Sequence, residues 1–167
     1  EQVKLNIGYM SQKFSLYDDL TIGENIDFYG GLYRLKGQEL RQKKDSILQE
    51  LDLVKHRKDL VKSLPLGWKQ KLAFSVATIH QPKILFLDEP TSGVDPITRR
   101  KFWEIITATA NQGITIFVTT HYLDEAEYCD RISIMVNGKI IALDSPANLK
   151  AQLNVQTTAE IFAKLTR

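Results

Sequence analysis

The sequence predicts an α/β protein, a parallel-sheet core with an inserted all-helical subdomain. One ground is the run Ile84-Leu85-Phe86-Leu87, which ends abruptly in Asp88-Glu89. It reads as a buried strand delivering two carboxylates to its C-terminal edge, where open α/β sheets place their ligands. A second is the alternation of strand and helix patterns after residue 80, which argues for parallel pairing. The third is the stretch 20–80, which shows helical periodicity and no strand pattern.

In chain order, Val3, Leu5, Ile7 and Tyr9 alternate with more polar residues and predict a first strand ending near Met10. Ser11-Gln12-Lys13 leaves it as a loop. Thr21-Ile22-Gly23-Glu24 is a capping box, so a helix is expected to follow to about Tyr33, weakened by Gly30-Gly31 near its end. Leu40, Ile47, Leu48 and Leu51 share one helical face over 38–53. Residues 60–65 read as irregular. Pro65 and Gly67 precede a helix over 68–80, with Leu72, Val76 and Ile79 inward. After the strand at 84–87, Asp95 caps a helix that has Pro96 at its first position and stops at Gln112-Gly113. Strands are expected over 114–119 and 131–136. Between them lies a short helix, 123–128, whose Asp124 and Glu125 suit the helix dipole. Asn137-Gly138 is a hairpin signal leading into a strand over 139–143. Two closing helices are expected over 146–153 and 158–165.

Composition narrows the function. With 167 residues, 25% charged and 43% hydrophobic, the chain suits one soluble globular core with a subdomain. A net charge of +2 gives no argument for nucleic acid or an anionic membrane surface. The single cysteine, Cys129, excludes an intramolecular disulfide and fits a reducing compartment. It reads as a small core residue rather than a nucleophile. No apolar stretch approaches the roughly 20 residues needed to span a bilayer. Any membrane link is therefore expected through a partner. The chain opens on Glu1 rather than Met, next to a candidate strand, and reads as a piece of a longer protein.

The Asp88-Glu89 pair carries the candidate chemistry. One such carboxylate can hold Mg²⁺ on a nucleotide while its neighbour polarises a water. The pair by itself favours a buried strand followed by a solvated turn. Its continuation is Pro90-Thr91-Ser92-Gly93-Val94-Asp95-Pro96, and the wider order is Gln12, a helical block, Gly67, Asp88-Glu89, Ser92 to Asp95, then His121. In that order the chain resembles the ATP-binding-cassette (ABC) transporter ATPases across essentially its whole length. The runs Thr119-Thr120-His121-Tyr122-Leu123-Asp124-Glu125-Ala126-Glu127 and Val136-Asn137-Gly138-Lys139-Ile140-Ile141-Ala142-Leu143-Asp144-Ser145-Pro146 look like those of its drug- and polymer-exporting branch.

The resemblance implies a partial P-loop-NTPase core, divided into a first strand and Q-loop (1–19), a helical subdomain (20–80) and a catalytic half (81–167). It implies Asp88 at Mg²⁺, Glu89 as general base toward the attacking water, and His121 as the switch histidine on the γ-phosphate. Gln12 would be the Q-loop glutamine, reaching Mg²⁺ or the water and moving with the membrane partner. Leu64, Gly67, Ser92 and Asp95 would be nucleotide-side residues. Taken alone, Gln12 is an ordinary loop residue, His121 a structural histidine and Asp95 a helix cap. The implied cofactors are ATP and Mg²⁺. The implied partners are a transmembrane permease subunit and a second ATPase subunit, with no nucleic acid. The implied location is cytoplasmic, peripheral on the inner face of the cell membrane. Phe14, Leu16 and Tyr17 follow the Q-loop and either dock the transmembrane subunit or pack between subdomains.

Two departures stand out. Where the family signature reads Leu-Ser-Gly-Gly-Gln, this chain has Leu64-Pro65-Leu66-Gly67-Trp68. Pro65 has neither hydroxyl nor amide hydrogen, so a weaker or rearranged contact is expected there. Divergent signatures of this kind resemble those of one exporter branch. The larger departure is that none of the nine glycines fits Gly-x-x-x-x-Gly-Lys-Ser/Thr, the loop whose amides and lysine cradle phosphates. The chain is thus expected to start after the P-loop and not to bind ATP alone. In the family fold the P-loop strand lies between the strands expected here at 114–119 and 131–136. Those strands are expected to close up, to become disordered or, preferably, to be covered by another chain. Two other functions compete: a non-transport family member acting on DNA or ribosomes, and a binding module that hydrolyses nothing. The short stretch between Gln12 and Ser63, without sustained heptads, argues against chromosome-associated members. The missing P-loop supports the binding module for this stretch alone, while intact Asp88, Glu89 and His121 argue against it for the longer protein.

Overall fold

The computed structural model describes residues 3–13 and 16–166, so Glu1 and Phe14 lie outside the described residues. The chain forms two compact units that meet in sequence at Thr119 and Thr120.

The first unit is built on three parallel strands, β1 (Ile7–Met10), β2 (Ile84–Asp88) and β3 (Thr115–Thr119), in that spatial order. Met10 lies opposite Leu87, and Leu87 opposite Val118. Between β1 and β2 the chain forms α1 (Ile22–Leu32), α2 (Gly37–Glu50) and α3 (Leu66–Thr78), while α4 (Pro96–Ala110) connects β2 to β3. The strand expected from Val3 onward begins only at Ile7. Lys4–Asn6 form a 3₁₀ turn, with Asn6 N donating to Val3 O at 3.0 Å. Alternation alone does not make a strand, and β2 supplies ladder partners only from Ile84, opposite Ile7.

The helical stretch has its own core. Ile22, Ile26, Leu35, Ile47, Leu48, Leu53, Val61, Leu72, Val76 and Ile79 form one buried cluster. Its entry is the capping box: Glu24 N donates to Thr21 Oγ1 at 3.2 Å and Thr21 N to Glu24 Oε2 at 2.8 Å. Gly30 sits inside α1 because a Cβ there would stand 2.2 Å from Leu40 Cδ1. The absent side chain is what lets α2 approach. α2 stops at Glu50, before the expected end at residue 53, because Asp52 turns left-handed (φ 55°) and Leu53 N reaches back to Leu48 O at 2.7 Å. α3 starts two residues earlier than expected, with Pro65 as its N-cap.

β2 is buried on one face only, not on both as expected. Leu85 and Leu87 are 0% and 1% exposed, whereas Phe86 between them is 38% exposed. Tyr9, Phe86 and Phe117 lie in register across the three strands, and the Phe86 and Phe117 rings stack at 5.3 Å.

The second unit opens with a 3₁₀ helix, Leu123–Tyr128, followed by β4 (Ile132–Val136), β5 (Lys139–Asp144), α5 (Pro146–Leu153) and α6 (Thr158–Leu165). β4 and β5 form an antiparallel two-stranded sheet. Their turn takes positive φ at both Asn137 (49°) and Gly138 (74°), as a tight hairpin demands. Within the described residues β4 is laddered to β5 alone. Glu125, expected to serve the helix dipole from solvent, is instead buried at 1% exposure and accepts a 2.5 Å bond from Thr120 Oγ1.

Candidate functional site

The site lies where β1, β2 and β3 end. Parallel pairing brings their C-terminal ends side by side, and the residues just beyond carry the polar groups. Gln12 Nε2 donates to Glu89 Oε2 at 2.7 Å. Thr119, the last residue of β3, serves Asp88 at the end of β2 and Glu89 just after it: its Oγ1 donates to Asp88 Oδ1 at 2.6 Å. That same oxygen accepts from Glu89 N at 3.1 Å, and Thr119 O accepts from Glu89 N at 3.0 Å. Glu89 itself has φ of 45°, a left-handed conformation uncommon outside glycine. Strain of this kind persists where surrounding bonds over-determine it, and it clusters at functional positions.

After Glu89 the chain makes a tight turn. Ser92 N donates to Glu89 O at 3.1 Å, Thr91 is fully buried and Gly93 has φ of 79°. Asp95 then caps α4, accepting from Ile97 N and Thr98 N at 3.0 Å each and from Thr98 Oγ1 at 2.6 Å. Those bonds, the Thr98 hydroxyl first, hold its carboxyl below the usual aspartate range. The cap predicted from sequence is therefore present.

The signature-like segment opens α3 beside this turn. A Cβ on Gly67 would stand 3.2 Å from Thr98 Cγ2, and one on Gly93 would stand 3.4 Å from Leu66 Cδ2. Glycine at 67 lets the first turn of α3 lie close to Thr98 of α4, while glycine at 93 serves the positive φ of the turn. Pro65 offers no capping side chain. Ser63, the nearby hydroxyl, is turned back to Leu60 O at 2.7 Å. Leu64 packs against the helical core.

Thus Gln12, Asp88 and Glu89 are brought together, and Gly67, Ser92 and Asp95 border the adjoining turn. His121 belongs to the second unit, where its exposed ring lies 4.1 Å from that of Tyr122. Leu16 packs on the helical core, while Tyr17 is 48% exposed with its ring edge-on to Phe28 at 4.9 Å. Sequence reasoning missed Thr119 as the residue that holds the Asp88 carboxylate and the Glu89 backbone amide. A hydroxyl ending a strand next to the carboxylate strand was the available signal. Among the described residues no cluster of three or more His, Cys, Asp or Glu side chains is placed to hold a metal by itself. No helix among them is long and apolar enough to cross a membrane.

The chain is similar to known proteins over most of its length. The family model described as "ABC transporter" matches residues 1–92. The chain is 48% identical over 151 residues to the probable multidrug ABC transporter ATP-binding protein YbhF of Escherichia coli K12, covering 90% of this chain and 26% of YbhF. It is 32% identical to the linearmycin resistance ATP-binding protein LnrL of Bacillus subtilis, covering 96% of this chain and 52% of LnrL. The chain thus spans about a quarter to a half of these relatives. A solved ATP-binding subunit of an ABC transporter superposes with a TM-score of 0.84 at 26% identity, over 98% of this chain and 69% of that one. The cbiO1 protein of Clostridium perfringens, part of the ABC transporter complex cbiONQ, superposes with a TM-score of 0.76 at 26% identity, over 91% and 62%. On its motifs, its site and these matches, the chain belongs to the ABC transporter family, within the ATP-binding domain.

Proposed function

We propose that these residues form the catalytic half of an ATP-hydrolysing subunit that drives export through a transmembrane permease, with the phosphate-cradling loop supplied by residues outside this stretch. The observation that carries the reading is the 2.7 Å bond between Gln12 and Glu89, with Asp88 and Glu89 both fixed by Thr119. It supports the reading because it brings two carboxylate residues and an amide together at one sheet edge.

The residues fit Mg²⁺ in the way that ion is usually held, by one or two carboxylates together with substrate phosphates and water. Asp88 and the Gln12 carbonyl are the oxygen donors for it. When bound, Mg²⁺ neutralises charge developing on the phosphates. Glu89 takes a proton from the water that attacks the γ-phosphorus, and ADP departs with the bonding electrons. Gln12 orients that water, exchanging its bond to Glu89 for one to the incoming oxygen. Leu64, Gly67, Ser92 and Asp95 face nucleotide held by a second ATPase subunit, and His121 meets the γ-phosphate. The three-part division at 1–19, 20–80 and 81–167 follows these roles. Placement against a membrane subunit puts the protein on the cytoplasmic face of the cell membrane, and no role with nucleic acid is assigned. The names of YbhF and LnrL, a probable multidrug and a linearmycin-resistance protein, support the export direction.

Phosphate release from ATP by the full-length protein, measured with and without Mg²⁺, tests the proposal. Mg²⁺-dependent release is expected. Intact nucleotide after prolonged incubation of folded protein with its membrane partner would overturn it.

A further inference from the structure

Gln70 lies on α3 and is fully buried. Its Nε2 donates to the carbonyl of Pro90, while its Oε1 has no hydrogen-bond partner. A buried amide with one end unsatisfied costs stability that an apolar side chain of the same length would not. Something other than packing must account for an amide here. Its one bond points to the answer, because Pro90 directly follows Glu89.

Glu89 is the strained residue of this turn, at φ of 45°. On its N-terminal side it is pinned by Thr119, which accepts from Glu89 N through both its carbonyl and its hydroxyl. On its C-terminal side the Pro90–Thr91 peptide, one residue on, is pinned by Gln70. Left-handed backbone at a non-glycine residue persists only when its neighbours over-determine it. Here β3 and α3 do so from opposite sides. The same helix begins with the signature-like segment, and Gly67 lies one turn before Gln70.

We infer that Gln70 is a positioning residue for Glu89: from α3 it fixes the carbonyl of Pro90 and so ties the orientation of the catalytic carboxylate to the position of the signature-like helix. The inference rests on the ATPase reading of Glu89. It adds that a shift of α3 is felt at the base through one hydrogen bond.

The test uses Gln70→Met and Gln70→Glu in the full-length protein, with Val76→Ala as a control that weakens the core of the same helix. Gln70→Met keeps the length and loses the donor. Its kcat is expected to fall about tenfold or more with KM for ATP within about twofold, the pattern of a group that acts on the chemical step. Gln70→Glu can donate to Pro90 O only as the neutral acid. Its kcat relative to wild type is therefore expected to rise as pH falls. Val76→Ala lowers the unfolding temperature and leaves kcat near wild type. Hydrogen exchange without nucleotide gives a readout independent of turnover: the Glu89 and Ser92 amides exchange faster in Gln70→Met and not in Val76→Ala. Unchanged exchange, a wild-type kcat in Gln70→Met, or a pH-independent ratio for Gln70→Glu overturns the inference. Loss of the ATPase reading is recognised separately, by wild-type turnover that survives Glu89→Gln.

Discussion

The side-chain amide of Gln12 donates to the carboxylate of Glu89 at 2.7 Å, although 77 positions separate the two residues. The sheet register explains how. Met10 is paired with Leu87, so Gln12 and Glu89 each follow a laddered pair by two residues. Any slip of β1 against β2 would break the bond, so the whole helical stretch between them must fold to hold it.

Thr119→Val removes the hydroxyl that serves Asp88 and Glu89 but keeps the backbone bond from Glu89 N. We expect a stability loss of about 0.5–1.5 kcal/mol, the net worth of an ordinary hydrogen bond. We also expect turnover to fall several-fold, because the Asp88 carboxylate and the Glu89 backbone each lose a bond that orients them. Urea unfolding and steady-state kinetics on the variant check both. Wild-type kinetics with reduced stability would assign Thr119 to the fold alone.

Tyr17 is half exposed yet packs edge-on to Phe28. Its partial exposure suits either docking on a transmembrane subunit, as proposed above, or packing between subdomains. A cysteine placed at Tyr17 should crosslink to that subunit in membranes. Efficient crosslinking from other surface positions with none from this one would remove the assignment.

His80 gives the first unit a pH dependence below about pH 6.5. Burial, the largest cause, lowers its pKa below the ordinary 6.5; its bond to Ile7 O opposes that and the charge of Lys43 reinforces it. Its ring stacks on Tyr33 at 3.5 Å, Nε2 lies 3.1 Å from Ile7 O, and Nδ1 is buried without a partner. The folded state therefore prefers the neutral ring and binds fewer protons than the unfolded chain. The contribution is complete above about pH 6.5 and is lost as pH falls from there through the depressed folded value. Denaturation midpoints measured across that window should fall more steeply for wild type than for His80→Asn. Parallel curves would contradict the prediction.

Cys129 is expected to be unreactive in the native protein. Burial, with Asp130 and Glu125 nearby, raises its thiol pKa to about 11. Little thiolate exists at neutral pH, and the thiolate is the nucleophile. Alkylation should be slow in the native state and rapid in denaturant. Equal rates in both would show an open, unperturbed thiol.

Elements whose ends carry their own chemistry were legible in the sequence. The Thr21–Glu24 box, the Asp95-Pro96 start and the Asn137-Gly138 turn all define boundaries by local bonds or backbone preference, and all three are found. Val3 and Leu5 misled because a strand also needs a partner, and a ladder partner is not a local property. The end of α2 was misplaced because Asp52 takes a left-handed conformation more usual for glycine. Within the site, Gln12, Asp88 and Glu89 were legible through their order along the chain. Thr119 and Gln70 were not, because each acts on a residue brought near only by folding, 31 and 20 positions away.

The claim that Glu89 is the base of an ATPase is tested most directly by Glu89→Gln in the full-length protein, with ATP binding and phosphate release measured on the same sample. The substitution removes the proton acceptor and retains the size and polarity of the side chain. Phosphate release should fall by about two orders of magnitude or more, the worth of a general base, while ATP affinity stays within a few-fold. Phosphate release within a few-fold of wild type would show that Glu89 is not the base.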